Sequence, residues 1–285
     1  MVGSPGVGKS MLAERVPGIM PPLERDEIIE SSLIHSISRE MTDGKFTDTP
    51  PFRRPSVNIS IPSLLGSGYP PNPGEITLAH RGVLFLEEIN EMNRIAVDSL
   101  RVPLDRKCVC LNKRGEGFVY PADFLLISCA NPCKCGYLYS RKKECTCTPG
   151  EISAYKARLS GPISDRIDIH ICINEPDFDE LTVSDGMGSA EMRRKVLKVR
   201  KLQSKRYARE EFKLNSSIFD SKIVEYCSFD SDGEAFIKNA YKTLKLTPRS
   251  MVKIRKISRT IADLDESKEI KLKHISEAIQ FRQRW

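Results

Sequence analysis

Residues 3–10 read Gly3-Ser4-Pro5-Gly6-Val7-Gly8-Lys9-Ser10 and match the pattern G-x-x-x-x-G-K-[ST] at every position. In this pattern the glycines let backbone N–H groups curl around a phosphate, and the following helix directs its positive end at the same anion. Lys9 then reaches the outer phosphate oxygens, and the Ser10 hydroxyl binds Mg²⁺. The motif predicts an ATP-Mg²⁺ site formed by Gly3, Ser4, Pro5, Gly6, Val7, Gly8, Lys9, Ser10 and Met11.

Two apolar runs further along the chain end in polar side chains suited to phosphate chemistry. The first, Gly82-Val83-Leu84-Phe85-Leu86, is followed by Glu87 and Glu88. Such a strand places one acid near the metal and a second where it orients the attacking water, so we assign Glu87 to the metal and Glu88 to the water. Nucleotide motors usually have the shorter Asp at the first place, and Mg²⁺ demands near-octahedral geometry, so the strength of metal binding at Glu87 is left open. The second run, residues 124–130, ends at Asn131, whose amide can hold the water or the γ-phosphate.

The composition is that of a globular protein. The chain has 285 residues, 40% of them hydrophobic and 29% charged, and 45 Lys and Arg against 38 Asp and Glu give a net charge of +7. These values exclude the disordered, collagen-like and coiled-coil classes. No apolar run approaches the roughly 18–20 residues of a membrane span, and the first residues lack the charged and apolar regions of a signal peptide. We therefore expect a cytoplasmic protein.

The pattern of apolar residues changes near residue 176. Before that point, short β-branched runs alternate with helical patterns, which is typical of a parallel sheet covered by helices; the runs are residues 57–61, 83–86, 124–128 and 167–173. After it only helical patterns occur, and one helix is predicted to begin at Thr247-Pro248, an N-cap followed by Pro at the first helical position. We predict an α/β core over residues 1–175, a linker over 176–188 and a helical domain over 189–285.

Four cysteines are arranged as C-x-C-x9-C-x-C, namely Cys133, Cys135, Cys145 and Cys147. Four thiolates can close a tetrahedral structural zinc site and tie down the loop after Asn131. The alternative is a loop of reduced thiols, because zinc ligands more often follow the spacing C-x-x-C. The remaining cysteines occur within apolar runs and are expected as core thiols: Cys108, Cys110, Cys129, Cys172 and Cys227.

Two basic elements are candidates for contact with nucleic acid. Residues 107–121 predict a β-hairpin with the turn Asn112-Lys113-Arg114-Gly115, and residues 191–212 include a helix dense in Lys and Arg. Basic side chains at either place can bind DNA phosphates without reading the base sequence. The alternative is an ordinary solvated hairpin tip and an ordinary solvated helix face.

The motifs together resemble the magnesium-chelatase-like AAA+ ATPases, and within them the ComM/YifB group. Besides the phosphate loop and the run before Glu87, the strings that carry the resemblance are Pro51-Phe52-Arg53, Gly74-Glu75-Ile76-Thr77-Leu78-Ala79-His80-Arg81, Asn131-Pro132-Cys133, Leu159-Ser160-Gly161-Pro162, Asp165-Arg166-Ile167-Asp168 and Arg259-Thr260-Ile261-Ala262-Asp263. They extend along nearly the whole chain. The resemblance implies an α/β fold, namely the three-layer αβα P-loop core of AAA+ proteins followed by an all-helical lid domain.

The resemblance also implies roles for three arginines. Arg166 matches the arginine finger that enters the neighbouring subunit's site and neutralises transition-state charge. Arg249 matches the sensor-2 arginine that touches the γ-phosphate in its own subunit, and Arg158 is a third candidate whose alternative is a surface ion pair. A finger acting in trans requires an oligomer, so the family implies a homo-oligomeric ring, typically a hexamer, that hydrolyses ATP. The resemblance to the ComM group further implies that this ATPase is a motor that acts on DNA in recombination or branch migration.

The chain departs from the family pattern at two places. Pro55 is followed by Ser56-Val57 where members of the group often carry His-His, so no role of those histidines is transferred. In the family a buried strand and a further N-terminal domain precede the phosphate loop, whereas here the loop begins at residue 3. We expect on this basis an N-terminally truncated chain with weak stability and impaired nucleotide binding.

Two other functions stay open. One is a metal-insertion motor that drives Mg²⁺ into a porphyrin, as in true magnesium chelatases, although the Cys-rich loop and the string at residues 259–263 favour the ComM/YifB branch. The other is a truncated remnant that folds or binds partners without hydrolysing ATP.

Overall fold

The computed structural model describes residues 1–38, 48–159, 161–177 and 186–282. The chain forms two compact units. The first consists of Met1–Ile167 and Ile171–Gly186, and the second of Asp168–His170 and Met187–Trp285. Ser160 and residues 178–185 of the predicted linker lie outside the described residues, and the domain boundaries inferred from the sequence stay predictions.

The first unit combines short strands with short helices. Its helices are α1 (Lys9–Arg15), α2 (Arg25–Ile37), α3 (Ile61–Leu65), α4 (Glu75–Leu78), α5 (Arg94–Asp98), α6 (Arg101–Arg106), α7 (Pro149–Lys156) and α8 (Gly161–Ser164), with a 3₁₀ turn at Val16–Ile19. Its strands are β1 (Phe52–Arg53), β2 (Gly66–Gly68), β3 (Pro71–Pro73), β4 (Val83–Leu86), β5 (Cys108–Lys113), β6 (Glu116–Pro121) and β7 (Leu125–Ser128). In the described part of the chain, every helix is too short or too polar to pass through a bilayer.

Strands β1, β4 and β7 form a parallel sheet in the order β1-β4-β7. Val83 lies opposite Leu125, so that β4 and β7 end level with each other at one edge of the sheet. Val2 extends this sheet, since it forms parallel bridges with Ala130 on one side and Cys172 on the other. Just before the phosphate loop, the structure thus shows single-residue bridges at Val2, and the full strand that precedes this loop in the family is not among the named strands of the described residues.

Burial on both faces explains why β4 carries only apolar side chains. Its residues Val83–Leu86 are completely buried. Val83 and Phe85 pack with Ala13 of α1 and with Cys129, so the helix after the phosphate loop lies on the same core as the strand. A parallel strand buried on both faces reads as a continuous apolar run rather than as an alternation, and for this reason it is recognisable in the sequence.

Two of the predicted strands do not form as expected. Residues 57–61 contain a turn and the first residue of α3. The Ser60 side chain caps this helix by accepting a hydrogen bond from the Ser63 N–H, and Pro62 lies in its first turn, so capping outweighs the β-propensity of the preceding residues. Among residues 167–173, the bridge at Cys172 is the β-pairing that the structure shows.

The predicted hairpin is confirmed. Strands β5 and β6 pair antiparallel along their whole length, out to Lys113 opposite Glu116. The turn is shorter than expected and consists of Arg114 and Gly115, whose φ angles of 52° and 85° are typical of a type I′ turn. The Arg114 guanidinium lies 4.5 Å from the ring centroid of Tyr69, which holds the hairpin tip against the segment between β2 and β3.

The second unit is helical, and with it the predicted α/β core followed by a helical domain is confirmed. Its helices are α9 (Ser189–Arg206), α10 (Ile223–Tyr226), α11 (Ser231–Thr243), α12 (Pro248–Leu264) and α13 (Leu272–Gln280), with 3₁₀ turns at Asn215–Ser217 and Asp220–Lys222. Helix α12 begins where predicted, since the Thr247 side chain accepts a hydrogen bond from the Ser250 N–H. The core of this unit is rich in isoleucine and aromatic side chains, among them Tyr207, Ile237, Ile254 and Ile275.

A buried carboxylate connects α9 to α12. The Asp263 side chain is completely buried and accepts hydrogen bonds from the guanidinium groups of Arg206 and Arg259. Asn215 donates to it at 2.9 Å and Gln203 at 3.3 Å. Burial alone would raise the pKa of Asp263, but the hydrogen bonds from Arg206 and Asn215 and the nearby guanidinium charges lower it overall. Two members of the family-like string at residues 259–263 thus have a structural role.

We expect Asp263→Asn to lower the free energy of unfolding by about 3–5 kcal/mol, because two guanidinium groups lose the buried carboxylate that neutralises them. Far-ultraviolet circular dichroism during urea unfolding measures this. Asp265→Asn removes an exposed carboxylate two residues away and is the matched control, with an expected change below about 1 kcal/mol. Equal stability of the two variants would contradict the role of Asp263.

The same carboxylate makes stability depend on pH. Because the folded-state pKa of Asp263 is lower than the value of 3.8 for the free side chain, its contribution is fully present above that value. It is lost as the pH falls through the folded-state pKa. Urea titrations between pH 5 and pH 2 should therefore show a steeper loss of stability in the parent chain than in Asp263→Asn.

Candidate nucleotide site

The phosphate loop lies between the sheet residue Val2 and helix α1. Gly6 and Gly8 have φ angles of 83° and 87°, in the left-handed region that residues with a Cβ adopt only at a cost. Helix α1 begins from Gly8, whose carbonyl accepts a hydrogen bond from the Leu12 N–H. The backbone conformation of the loop therefore requires glycine at these two positions.

The Lys9 ammonium connects the phosphate loop to the end of β7. Its Nζ donates hydrogen bonds to the carbonyl oxygens of Gly3 at 2.6 Å and Ser4 at 2.8 Å, and to Asn131 Oδ1 at 3.2 Å. Partial burial lowers the pKa of Lys9. The lysine of the phosphate loop and the amide after β7, which are 122 residues apart in the chain, thus meet in the fold.

Ser10 and Glu87 form the second contact between the loop and the sheet edge. The Ser10 hydroxyl donates a hydrogen bond to Glu87 Oε1, and this bond is the largest single cause of the lowered pKa of Glu87. Hydroxyl and carboxylate oxygens are the ligands that Mg²⁺ prefers, so this pair fits the metal that the motif implies. Arg54 donates to the other carboxylate oxygen of Glu87 and also to Glu14.

Sequence reasoning missed Arg54. It directly follows the string Pro51-Phe52-Arg53, which was the signal that could have found it. The hydrogen bond to Glu87 raises the pKa of the Arg54 guanidinium. The same bond contributes to the lowered pKa of Glu87 and so favours the carboxylate anion. Any cation that binds at Glu87 has to share this carboxylate with Arg54.

Glu88 differs from Glu87 in its surroundings. It is exposed, and its φ angle of 48° places it in the left-handed region, which costs a non-glycine residue roughly 1–2 kcal/mol. The Glu91 N–H donates to its carbonyl at 2.7 Å and closes the turn after β4. Strained conformations of this kind cluster at functional sites. The negative charge of Glu88 partly opposes the lowering of the Lys9 pKa by burial. Both acidic residues after β4 therefore lie near the phosphate loop.

The three candidate arginines have different environments. Arg166 donates hydrogen bonds to both carboxylate oxygens of Asp105, a partner that the sequence did not suggest. Arg158 forms an ion pair with Glu91 at 2.7 Å, which was its alternative interpretation. Arg249 is exposed in the first turn of α12 in the second unit. The finger role of Arg166 and the sensor role of Arg249 stay predictions.

The four cysteines after Asn131 come together in space. The sulfur atoms of Cys133, Cys135, Cys145 and Cys147 all lie within 4.8 Å of one another. Backbone hydrogen bonds, chiefly from Tyr137, lower the pKa of the Cys135 thiol to about 6. Among the cysteines expected in the core, Cys129 and Cys227 are buried, whereas Cys110 and Cys172 are exposed.

Two curated relatives match the chain along almost its whole length. The uncharacterized protein YifB of Escherichia coli is 35% identical over 284 residues, and the competence protein ComM of Haemophilus influenzae is 36% identical over 283 residues. Each alignment covers 99% of this chain, but 55% of YifB and 54% of ComM. The chain therefore spans about half the length of these relatives.

Two family models match as well, and they adjoin each other. The first, described as magnesium chelatase, subunit ChlI, matches residues 1–181. The second, described as magnesium chelatase, subunit ChlI C-terminal, matches residues 186–282. Since the two matches together cover nearly all of its residues, the chain belongs to the magnesium chelatase ChlI family.

Proposed function

We propose that this chain binds Mg-ATP and hydrolyses it as a subunit of a homo-oligomeric AAA+ ring, a hexamer, that acts on DNA without reading its sequence. The observation that carries the proposal is the convergence of the phosphate loop, the Ser10–Glu87 pair and Asn131 at one edge of the parallel sheet. Carboxyl ends of parallel strands are where α/β proteins bind ligands. Membership of the ChlI family supports the same assignment.

Each side chain at this edge has a distinct part in the proposed reaction. Lys9 exchanges its bonds to the Gly3 and Ser4 carbonyls for bonds to phosphate oxygens. Ser10 and Glu87 hold Mg²⁺, which supplies charge neutralisation at the phosphates when bound. Glu88 orients and polarises the attacking water, and Asn131 holds the water or the γ-phosphate. Water then attacks in line with the bond that breaks.

In this proposal, Arg166 completes the nucleotide site of the neighbouring subunit. Arg249 contacts the γ-phosphate that is bound in its own subunit. The bidentate contact with Asp105 supports the role of Arg166, because a guanidinium held by two parallel hydrogen bonds is fixed in direction. Asp105 is then the residue that positions the finger. The Arg166 guanidinium then places a positive charge next to the transition state and stabilises it more than water does.

The DNA part of the proposal rests on the β5–β6 hairpin. Its tip carries Lys113 and Arg114 on a tight turn, and basic residues on such a tip can grip phosphates in a central pore. The competence protein ComM is among the relatives that match the chain along almost its whole length. The resemblance to its group favours branch migration or recombination as the process in which the motor acts.

We expect Glu88→Gln to lower ATP hydrolysis at least about 100-fold, because an amide cannot polarise the attacking water as a carboxylate does. Binding of Mg-ATP should persist, since Glu88 holds neither phosphate nor metal. Phosphate release measures the first effect and fluorescence of a labelled ATP the second. Glu91→Gln, which removes the next carboxylate along the same turn, is the control and should keep its activity. Full activity of Glu88→Gln would refute the assignment.

Mixing two inactive variants tests the role of Arg166 in trans. Lys9→Ala lacks a working nucleotide site and Arg166→Ala lacks the finger, so each alone should be inactive. In an equal mixture, about a quarter of the sites combine an intact Lys9 with a neighbour's intact Arg166, and ATPase activity should recover toward that fraction. No recovery in mixtures that assemble would argue against a finger acting between subunits.

Replacing Lys113 and Arg114 by Ala together should weaken binding to branched DNA and reduce the slope of log affinity against log salt by roughly 1–2, because each lost phosphate contact removes about one released counterion. Fluorescence anisotropy at several salt concentrations measures both. Lys238→Ala with Lys242→Ala removes the same charge from α11 and is the matched control. Equal slopes for the two double variants would exclude the hairpin tip as a phosphate contact.

The description of the matching family favours one further candidate, a motor that drives Mg²⁺ insertion into a porphyrin. The two functions differ in what stimulates ATP hydrolysis. Branched DNA should raise turnover in the proposed function, whereas a porphyrin together with chelatase partner subunits should raise it in the other. If neither the parent chain nor a form extended upstream hydrolyses ATP above Glu88→Gln, the remnant interpretation replaces both.

A further inference from the structure

The four-cysteine cluster has the dimensions of a single metal site. The Cys133 sulfur lies 3.4 Å from that of Cys135 and 3.7 Å from that of Cys145, and the sulfur atoms of Cys135 and Cys145 are 3.6 Å apart. Sulfur ligands of a tetrahedral zinc ion are about 3.8 Å apart, because each Zn–S bond is about 2.3 Å long. Cys147 completes the set, since all four sulfur atoms lie within 4.8 Å of one another.

Other uses of the four thiols fit the geometry less well. A disulfide requires two sulfur atoms about 2.05 Å apart, and all four residues are free cysteines. An iron–sulfur cluster distributes its cysteine ligands over two or more iron atoms, which needs a wider arrangement of sulfur atoms than this one. Four soft thiolates around one point form a tetrahedral ligand set that suits zinc.

The segment that contains the cysteines is irregular. Residues 131–147 contain neither helix nor strand. Cys133 is completely buried, and the segment ends at Thr148, the N-cap of α7. In a chain stretch without a ladder of backbone hydrogen bonds, metal binding supplies the energy that orders it.

The same segment lies against the phosphate loop. Gly136 has a φ angle of 86°, and a Cβ built on it would come within 2.8 Å of the Cδ and Cγ atoms of Pro5. Glu175 lies between the segment and the loop: its carboxylate accepts a hydrogen bond from the Arg141 N–H at 3.3 Å, and Ser140 and Ser4 both contribute to its lowered pKa. The cysteine segment therefore lies directly against Pro5 and is connected to the neighbourhood of Ser4 through Glu175.

We propose that Cys133, Cys135, Cys145 and Cys147 bind one structural zinc ion, and that this ion fixes the segment that supports the phosphate loop. Zinc orders the Gly136 backbone against Pro5 and keeps Asn131, two residues before the first ligand, in reach of Lys9. Loss of the metal then loosens the phosphate loop. The coupling to nucleotide rests on the proposed function, whereas the metal site itself does not.

Metal content tests the site directly. The chain is purified without added metal, and zinc and iron are measured by mass spectrometry. We expect about one zinc ion per chain. Cys110→Ser, which replaces an exposed cysteine of β5, is the control and should keep the zinc. The double variant Cys145→Ser with Cys147→Ser should lose it. Less than a tenth of a zinc ion in the parent chain after zinc is supplied during expression, or iron in place of zinc, overturns the site.

A measurement on the parent chain guards against a double variant that fails to fold. A mercurial reagent that modifies thiolates should release one zinc ion per chain, read with a zinc-sensitive dye. The released zinc should appear in step with modification of four thiols. Modification of these thiols without zinc release in a chain that contains the metal would place the metal elsewhere and overturn the assignment.

Gly136→Ala tests the coupling without replacing a ligand. Its Cβ is strained by the positive φ and overlaps Pro5, so we expect unchanged zinc content and an affinity for Mg-ATP reduced at least about tenfold. Gly150→Ala in the first turn of α7, where a Cβ meets no neighbouring atom, is the matched control. Equal nucleotide affinity of the two variants overturns the coupling. A parent chain that binds zinc but no nucleotide refutes the proposed function and leaves the metal site standing.

Discussion

The alignment of parallel strand ends is the constraint on which the site depends. The Val2 N–H donates to the Ile171 carbonyl at 2.8 Å, and the Ile173 N–H donates to the Val2 carbonyl at 2.7 Å. On the other side, the Ala130 N–H donates to the Met1 carbonyl at 3.0 Å. Because the neighbouring strands run in the same direction, the segments that leave them emerge at one edge. The phosphate loop, the two glutamates and Asn131 are brought together by this backbone register.

Charges at this edge are balanced by partners that can be exchanged. Lys9 is bonded to carbonyl oxygens and to the Asn131 amide, and Glu87 to Ser10 and Arg54. Partly buried charges without such partners would be costly, so these contacts stabilise the edge by themselves. A nucleotide phosphate offers Lys9 acceptors of the same kind. In the proposed function, binding therefore replaces contacts that already exist rather than adding charges to an apolar site.

The two units are stabilised by different means. In the first, the apolar strand β4 is completely buried in the core, and the irregular segment of residues 131–147 follows the end of β7. In the second, the buried carboxylate of Asp263 joins two helices through Arg206 and Arg259. A buried charge of this type is strongly destabilising when one partner is removed, so the contact between these helices depends on all three side chains. The string at residues 259–263 thus contributes to the fold of the helical unit.

The sequence by itself determined the phosphate loop, the buried strand before Glu87, the hairpin and the start of α12, because each has a local signature: required glycines, a continuous apolar run or a capping residue. It misassigned residues 57–61, where the cap at Ser60 outweighs β-propensity. Only the tertiary structure decided that Arg54 binds Glu87, that Asp105 holds Arg166 and that Gly136 touches Pro5. These partners are far apart in the chain, and their contacts follow from strand register and loop packing, which leave no local pattern in the sequence.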